Sequence, residues 1–332
     1  MLRQPNALQW DGAEGHYEVY YLTLTDPSTG IGIWIRYTMV APRRAAAESP
    51  SAALWFLAMD PGGGVFGRKA SYPVQELRAR ADPFTLQIDG ATLTDGAMDG
   101  SLEDASWNLR WSPGRSYEHV HPALRVIAST ILVLPHADVE IDGIVSFAGR
   151  TLALDAARGG QAHLWGSKHA SSWAWVHCND FRTLDGEPAT GEFVDGVSVF
   201  VPRLGREIGP NTPVVGRING QDFRSTSPLR VLRNHSTFAL TGWRFEAVDG
   251  KRKLIGEVDA ERSQLAGVTY HDPDGELAYC YNTETASMRL EVFERARQVG
   301  GWAHRQTLVA DGRAHFEYAQ RTPVPELELL TT

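Results

Sequence analysis

Gln161–Phe181, QAHLWGSKHASSWAWVHCNDF, is the stretch on which the reading of this chain turns. It holds three of the ten tryptophans and three of the eleven histidines. Side chains along a β-strand alternate between faces. On that alternation Trp173, Trp175, His177, Asn179 and Phe181 share one face, and Ala174, Val176, Cys178 and Asp180 the other. Just upstream, His163 and Trp165 share a face until Gly166 breaks the run. Read as one hairpin, the stretch points Trp173, Trp175 and His177 into a barrel interior. His163 and Trp165 then border the same cavity as His177 and Asn179. Rings with imidazole and amide groups among them suit a large apolar ligand that needs one or two polar contacts, or a proton. The competing reading is packed core, with each histidine a hydrogen-bonded filler.

Outward from this stretch the rhythm is of short alternating strands, among them Glu18–Thr25, Ile31–Val40, Ala53–Met59, Leu229–Arg233 and Lys253–Val258. Asp-Gly recurs at Asp11, Asp89, Asp95, Asp99, Asp142, Asp185, Asp195, Asp249, Asp274 and Asp311. Between strands this pair is a hairpin-turn signal. The pattern predicts an all-β chain, with strand over roughly 40% and helix under about 15% of the residues. Pro73–Ala81 carries a thin helix signal, with Pro at a first-turn position and Glu76 nearby. The apolar run Val126–Pro135 reads as one or two buried strands, Arg289–Gln298 as a strand through Phe293, and Pro323–Thr332 as a tail.

The 332 residues suffice for roughly two domains. HYEVYYL, from His16, is echoed by the aromatic stretch about 145 residues later, as two similar halves would require. The division is expected as 1–140 and 141–332, to within about 20 residues. A net charge of −8 and the lack of a basic run argue against a nucleic-acid partner. The N-terminal MLRQPNALQWDG has no apolar leader core, and no run is long enough to span a bilayer, so a cytoplasmic protein without a membrane span is expected. Cys178 and Cys280 read as small buried hydrophobes rather than a disulfide.

The pattern H-x-W-G, a short gap, then W-x-W-x-x-C-N-x-F is carried by His163, Trp165, Gly166, Trp173, Trp175, Cys178, Asn179 and Phe181. It resembles the second-barrel signature of the tocopherol cyclase, carotenoid 1,2-hydratase and AttH-type group, which fungal decalin-forming Diels–Alderases resemble too. His16–Leu22 is similar to the first-barrel opening of these proteins. The resemblance implies two lipocalin-like antiparallel β-barrels in tandem, with ligand held in or between them. It implies action on large apolar molecules, mostly isoprenoids and polyketides, without metal or nucleotide cofactor. The sequence departs from the pattern where Lys168 and His169 replace an apolar-proline turn. The hydratase branch also uses a Tyr and an Asp; no local Tyr matches, and Asp195 is a loose candidate for the Asp. Fold therefore transfers more safely than reaction.

Protonating an alkene needs an acid of displaced pKa and rings to stabilise a cation. His163, His177 and Glu284 are the catalytic candidates, with Asp180 and Glu18 as further acids. Ala278, Cys280, Asn282 and Glu284 share a strand face that could line a pocket or sit on a surface edge. The ligand-binding candidates are Glu18, Tyr20, Trp34, Trp165, Trp173, Trp175, Asn179 and Asn282. No metal is expected, because His119 and His121 form an H-x-H pair with no Glu following at ligand spacing. Gly62–Gly64 lacks the Lys-Ser/Thr of a phosphate loop, and there is no G-x-S-x-G elbow. The expected partner is a hydrophobic small molecule; an enzyme of cofactor-free cyclisation, hydration or isomerisation and a non-enzymatic carrier both remain open.

Overall fold

The computed structural model describes residues 4–44, 48–203, 206–296 and 300–331. Strand covers 64% of the chain and helix 4%. Strands β1 (His16–Thr25), β2 (Gly32–Ala41), β3 (Ser51–Met59) and β4 (Val65–Pro73) run as an antiparallel meander. A second meander follows: β5 (Leu77–Ala81), β6 (Phe84–Ile88), β7 (Ala91–Thr94), β8 (Ala97–Leu102) and β9 (Ala105–Trp111). After β10 (Tyr117–Glu118), the long hairpin of β11 (Thr130–Phe147) and β12 (Arg150–Gly166) joins the two, β12 pairing with β1 and β11 with β9. The sheet curls into a nearly closed barrel whose seam lies between β4 and β5.

The second sheet repeats this plan. It opens with β13 (Ser172–Cys178), β14 (Arg182–Thr183), β15 (Phe193–Arg203), β16 (Arg206–Asn211), β17 (Val214–Ile218) and β18 (Gln221–Ser225). The short helix α1 (Pro228–Val231) leads to β19 (His235–Ala239), β20 (Gly242–Asp249) and β21 (Arg252–Asp259). Then come β22 (Ala266–His271), the long hairpin β23 (Leu277–Arg295) and β24 (Trp302–Gln320), and β25 (Leu329–Thr331). As β1 pairs with β2 and β12, so β13 pairs with β15 and β24. The two-barrel, lipocalin-like fold expected from sequence is present. The chain crosses between sheets at Ser167–Ser171, later than the division expected after residue 140, because His163 and Trp165 belong to the last strand of the first sheet.

Buried apolar side chains among the described residues divide into three clusters. One, with Tyr20, Leu22, Ile35, Phe56 and Trp107, fills the first barrel. Another, with Ala174, Val176, Cys178, Phe245 and Leu290, fills the second. The third, with Tyr17, Tyr21, Trp34, Trp55, Trp173, Trp175 and Tyr270, draws on both sheets and lies between the barrels. The alternation of Trp173 and Trp175 against Ala174 and Val176 is as read from sequence, but its direction is reversed. The small residues face the interior, and the indoles face the other barrel. The strand is buried on both faces, so periodicity could not say which face was the inside.

Several local expectations are corrected. Pro73–Ala81 is not a helix: a single 3-10 turn at Val74–Glu76 precedes strand β5, whose pairing with β6 outweighs local propensity. Leu229–Arg233 is not a strand, since Pro228 starts α1 one residue after Ser227. Val126 and Ile127 are exposed in the turn before β11, which begins only at Thr130. The C-terminal tail is tied down by β25, parallel to β22; Thr332 lies outside the described residues. Asp89-Gly and Asp249-Gly do sit in hairpin turns, whereas Asp99, Asp142 and Asp195 lie within strands. Cys178 and Cys280 are free, buried and in different clusters.

The barrels meet closely. A Cβ on Gly32 of β2 would stand 2.7 Å from the Glu284 carbonyl oxygen, and one on Gly160 of β12 would stand 2.7 Å from His177 Nε2. Gly32→Ala is expected to destabilise by about 1–3 kcal/mol, as over-packing does, measured by urea unfolding. Trp175→Ala should cost about 3–5 kcal/mol by the same measurement, since a large ring is lost from a closed layer.

Candidate functional site

The sequence candidates sort into two buried polar groups. Glu18, Tyr20 and His163 lie together at one end of the first barrel, because Tyr20 faces His163 across the β1–β12 ladder. Glu18 accepts the Tyr20 hydroxyl at 2.8 Å and the backbone N–H groups of Gln9 and Trp10. His163 Nε2 lies 2.8 Å from Glu18 Oε1, and His16 Nε2 2.9 Å from Oε2. Burial opposes the Glu18 charge, yet hydrogen bonds to His16 and His163 hold its pKa down at about 2. His163 Nδ1 is 2.7 Å from the Pro5 carbonyl, and the Trp165 ring lies 4.7 Å from the His163 ring. This cluster fastens residues 5–10 across the barrel end. It stands apart from His177 and Asn179, contrary to the single-hairpin reading, because β12 and β13 belong to different sheets.

His177 and Glu284 do come together, through His315. His177 Nδ1 lies 3.1 Å from His315 Nδ1, and His315 Nε2 is 3.0 Å from Thr25 Oγ1 and 3.9 Å from Glu284 Oε2. Thr23 donates its hydroxyl to Glu284. Burial pushes the Glu284 carboxyl up to about 8, with Glu317 adding to the shift and the Thr23 bond opposing it. Burial and the neighbouring His177 hold His315 well below the ordinary histidine range. Glu284 is therefore a neutral acid at neutral pH, and His315 a neutral base. Asn282 faces Glu317 across the β23–β24 ladder. Asn179 instead donates to Asp138 and the Gly159 carbonyl, and Asp180 pairs with Arg313. Asp195 holds both His119 Nε2, at 2.7 Å, and the Trp175 indole N–H, at 3.2 Å, which accounts for one histidine of the H-x-H pair. No group of metal-ligand side chains occurs among the described residues.

A cavity of about 210 Å³ opens into the layer between the barrels. Tyr17, Arg36, Trp55, His169 and Tyr270 wall it, with Glu48, Ser71 and His271 exposed at its rim. The Arg36 guanidinium lies 3.8 Å from the Tyr270 ring centre, between Trp34 and Trp55 at 5.5 and 5.6 Å. Lys69 Nζ sits 4.2 Å from the Trp55 ring centre. His169 stacks on Tyr17 at 4.2 Å, and its Nδ1 is 2.6 Å from Asp272 Oδ1, while Asp272 Oδ2 takes a hydrogen bond from Arg321. Burial keeps His169 below its usual pKa despite that carboxylate. The Tyr270 hydroxyl donates to Glu317 Oε2 at 3.0 Å, and the Trp173 N–H reaches the other oxygen. Tyr270 thus connects the cavity wall to the half-buried carboxyl group of Glu317.

His163, His177 and Glu284 do not line this cavity, nor does any of the ligand-binding candidates, although Trp34 and Trp173 stack behind its wall. Sequence reasoning passed over Arg36, Lys69, Tyr270, His315 and Glu317. Two signals were present: a lone Arg inside the apolar strand GIWIRYTMVA, and His315 and Glu317 alternating with aromatics in HFEY. A larger groove of about 620 Å³ beside Trp111 is an open surface feature. The charges of Arg158, Asp138 and Glu140 on its wall are paired with one another.

A scan of protein-family models finds none that matches the chain. The chain is 32% identical over 303 residues to the uncharacterized protein Rv0493c of Mycobacterium tuberculosis H37Rv, covering 89% of this chain and 87% of that one. The uncharacterized protein MT0513 of M. tuberculosis CDC 1551 matches equally. Among solved structures, an AttH-type protein from Nitrosomonas europaea aligns over 95% of this chain and 98% of its own, at TM-score 0.55 and 13% identity. CghA, solved with Sch210972, aligns over 96% and 94% at TM-score 0.57 and 10% identity. Kievitone hydratase from Nectria haematococca aligns over 96% and 91% at TM-score 0.54 and 7% identity. The chain belongs to one family with Rv0493c, and its fold is the AttH-like tandem barrel that its aromatic motif resembles.

Proposed function

We propose that the chain binds a hydrophobic small molecule in the cavity between its barrels and acts on it by acid–base chemistry without a cofactor. One observation carries this reading: an aromatic-walled cavity in which Tyr270 connects the wall to the half-buried carboxyl group of Glu317. Burying apolar ligand surface there contributes about 25 cal/mol per Å² before ordering costs. At about 210 Å³ the space takes a compact ligand, or the end of a longer one. Tyr270 lines that space, and in this reading its hydroxyl, hydrogen-bonded to Glu317, passes a proton between the ligand and that carboxyl group. The reaction class is cyclisation, hydration or isomerisation of the bound molecule. The kievitone hydratase likeness supports that class, with fold alone as its warrant.

A carrier is the second reading. The observation that favours it is that Glu284 and the His177–His315 pair do not line the cavity. Turnover separates the two readings. In the enzyme, Tyr270→Phe keeps binding and loses about 10²-fold or more in rate, as loss of a positioned acid does. In the carrier it changes neither.

Binding itself is read by tryptophan fluorescence, because Trp55 lines the cavity. Retinoid, quinone and polyketide probes should quench it, with zinc and ATP as controls, and Trp55→Ala should abolish the response. Quenching by zinc or ATP alone would overturn the reading.

The buried acid has its own signature. In the unfolded chain Glu284 ionises near the ordinary 4.5, while the folded state keeps the proton to about 8. Between these values the unfolded chain sheds the proton first, so this group's contribution to stability falls as pH rises, then levels above 8. Thermal melts of Glu284→Gln against wild type should therefore show a Tm difference that grows in the variant's favour from pH 4.5 to 8. A difference independent of pH would mean that Glu284 is ionised in the fold.

A further inference from the structure

The cavity between the barrels carries two cations, Arg36 and Lys69, and neither forms an ion pair among the described residues. Arg36 is 5% exposed, yet it makes no ion pair and no side-chain hydrogen bond among the described residues, and its buried Nε has no partner. A guanidinium does not shed its proton in a protein, so its charge persists where water is scarce. Lys69 lines the same cavity from β4, equally without an ion pair or hydrogen bond. Burial and the repulsion of Arg36 both lower its pKa, as expected for an ammonium facing a second cation. Glu48 stands at the rim but comes within ion-pair range of neither. Asp272 is already engaged by His169 and Arg321. The buried Thr269 hydroxyl, also on the cavity wall, has no partner either. The rest of the chain is acidic, at −8 overall, and supplies carboxylates freely elsewhere.

A buried unpaired charge is costly, and an anionic ligand that completes the pair offsets that cost. We infer that this cavity is an anion site, built to hold a compact aromatic or short-chain carboxylate with its acid group on Arg36, Lys69 and Thr269 and its apolar body among the rings of Trp55, Tyr270 and Tyr17. The rings hold the charges of Arg36 and Lys69 in place, and a carboxylate supplies the hydrogen bonds that rings cannot. This inference rests on the proposed use of the inter-barrel cavity and narrows its ligand from hydrophobic to hydrophobic and anionic.

The test is calorimetric titration of the full chain near neutral pH with three probes of one shape: naphthoate, naphthylmethanol and naphthylmethylammonium. Naphthoate should bind at least about ten-fold tighter than the alcohol, the size of one good charge-assisted contact, and the ammonium should not bind. In Lys69→Gln and in Arg36→Met the preference for naphthoate over the alcohol should fall to about two-fold or less. Arg36→Met keeps an unbranched apolar stem and removes a buried unpaired charge, so it should melt no lower than wild type. Binding of the alcohol as tightly as naphthoate would overturn the anion site and leave the hydrophobic reading standing. An unchanged preference in both variants would do the same. Failure of all three probes would overturn the anion site and the cavity reading together.

Discussion

The structure depends on the fact that the opening strand of each barrel is buried on both faces. Residues of β1 from Tyr17 to Thr25 are all buried, and so are those of β13 from Trp173 to Cys178. One face of each strand fills its own barrel, and the other fills the layer between barrels. β2 and β3 share this double burial, with Ile33, Ile35, Leu54 and Phe56 in the first barrel and Trp34, Trp55 and Leu57 in the shared layer. This double burial is why the tryptophans, histidines and carboxyl groups accumulate here. A layer shared by two sheets has room for large rings, and it isolates polar groups from water strongly enough to displace their pKa values. The neutral acid Glu284 and the neutral base His315 both follow from it.

The barrel interiors, by contrast, are occupied by their own side chains. The first is closed by Tyr20, Phe56 and Trp107, and the second by Phe245 and Leu290 around the small residues of β13. A lipocalin-like fold that fills its barrels moves its usable space to the seam between them. The functional question then shifts from what a barrel holds to what two barrels hold between them, and the cations of β2 and β4 become more informative than the motif that first draws attention.

Much of the architecture was legible. The Asp-Gly turns at Asp89 and Asp249 and the alternation through Trp173–His177 correspond to observed hairpins and faces, whereas of the stretch Gln161–Phe181 that echoes HYEVYYL only the part in β13 is topologically equivalent to β1. The meeting of His177 with Glu284 also joins two residues picked from different parts of the sequence. What was not legible was direction. Alternation has a period of two and says which residues share a face, not which face is inside when both are buried. For the same reason His163 was joined to His177 on a hairpin that does not exist: the five residues Ser167–Ser171 carry the chain from one sheet to the other, and nothing in their composition distinguishes that passage from a turn. Arg36 escaped notice because a single cation in an apolar strand reads as a solvent-facing side chain until the partner sheet is in place to cover it.

The Gly32–Glu284 contact lies four residues from Arg36 along β2, a distance of about 13 Å at ordinary strand rise. The two barrels touch at backbone distance there and stand apart by the width of a cavity further along the same strand. The contact behaves as a fulcrum, and the aperture at Arg36 is the far end of the lever. Residues that set the width of the cavity need not line it: a substitution in the tight half of the gap between the barrels changes the opening at Arg36 while the cavity wall stays the same.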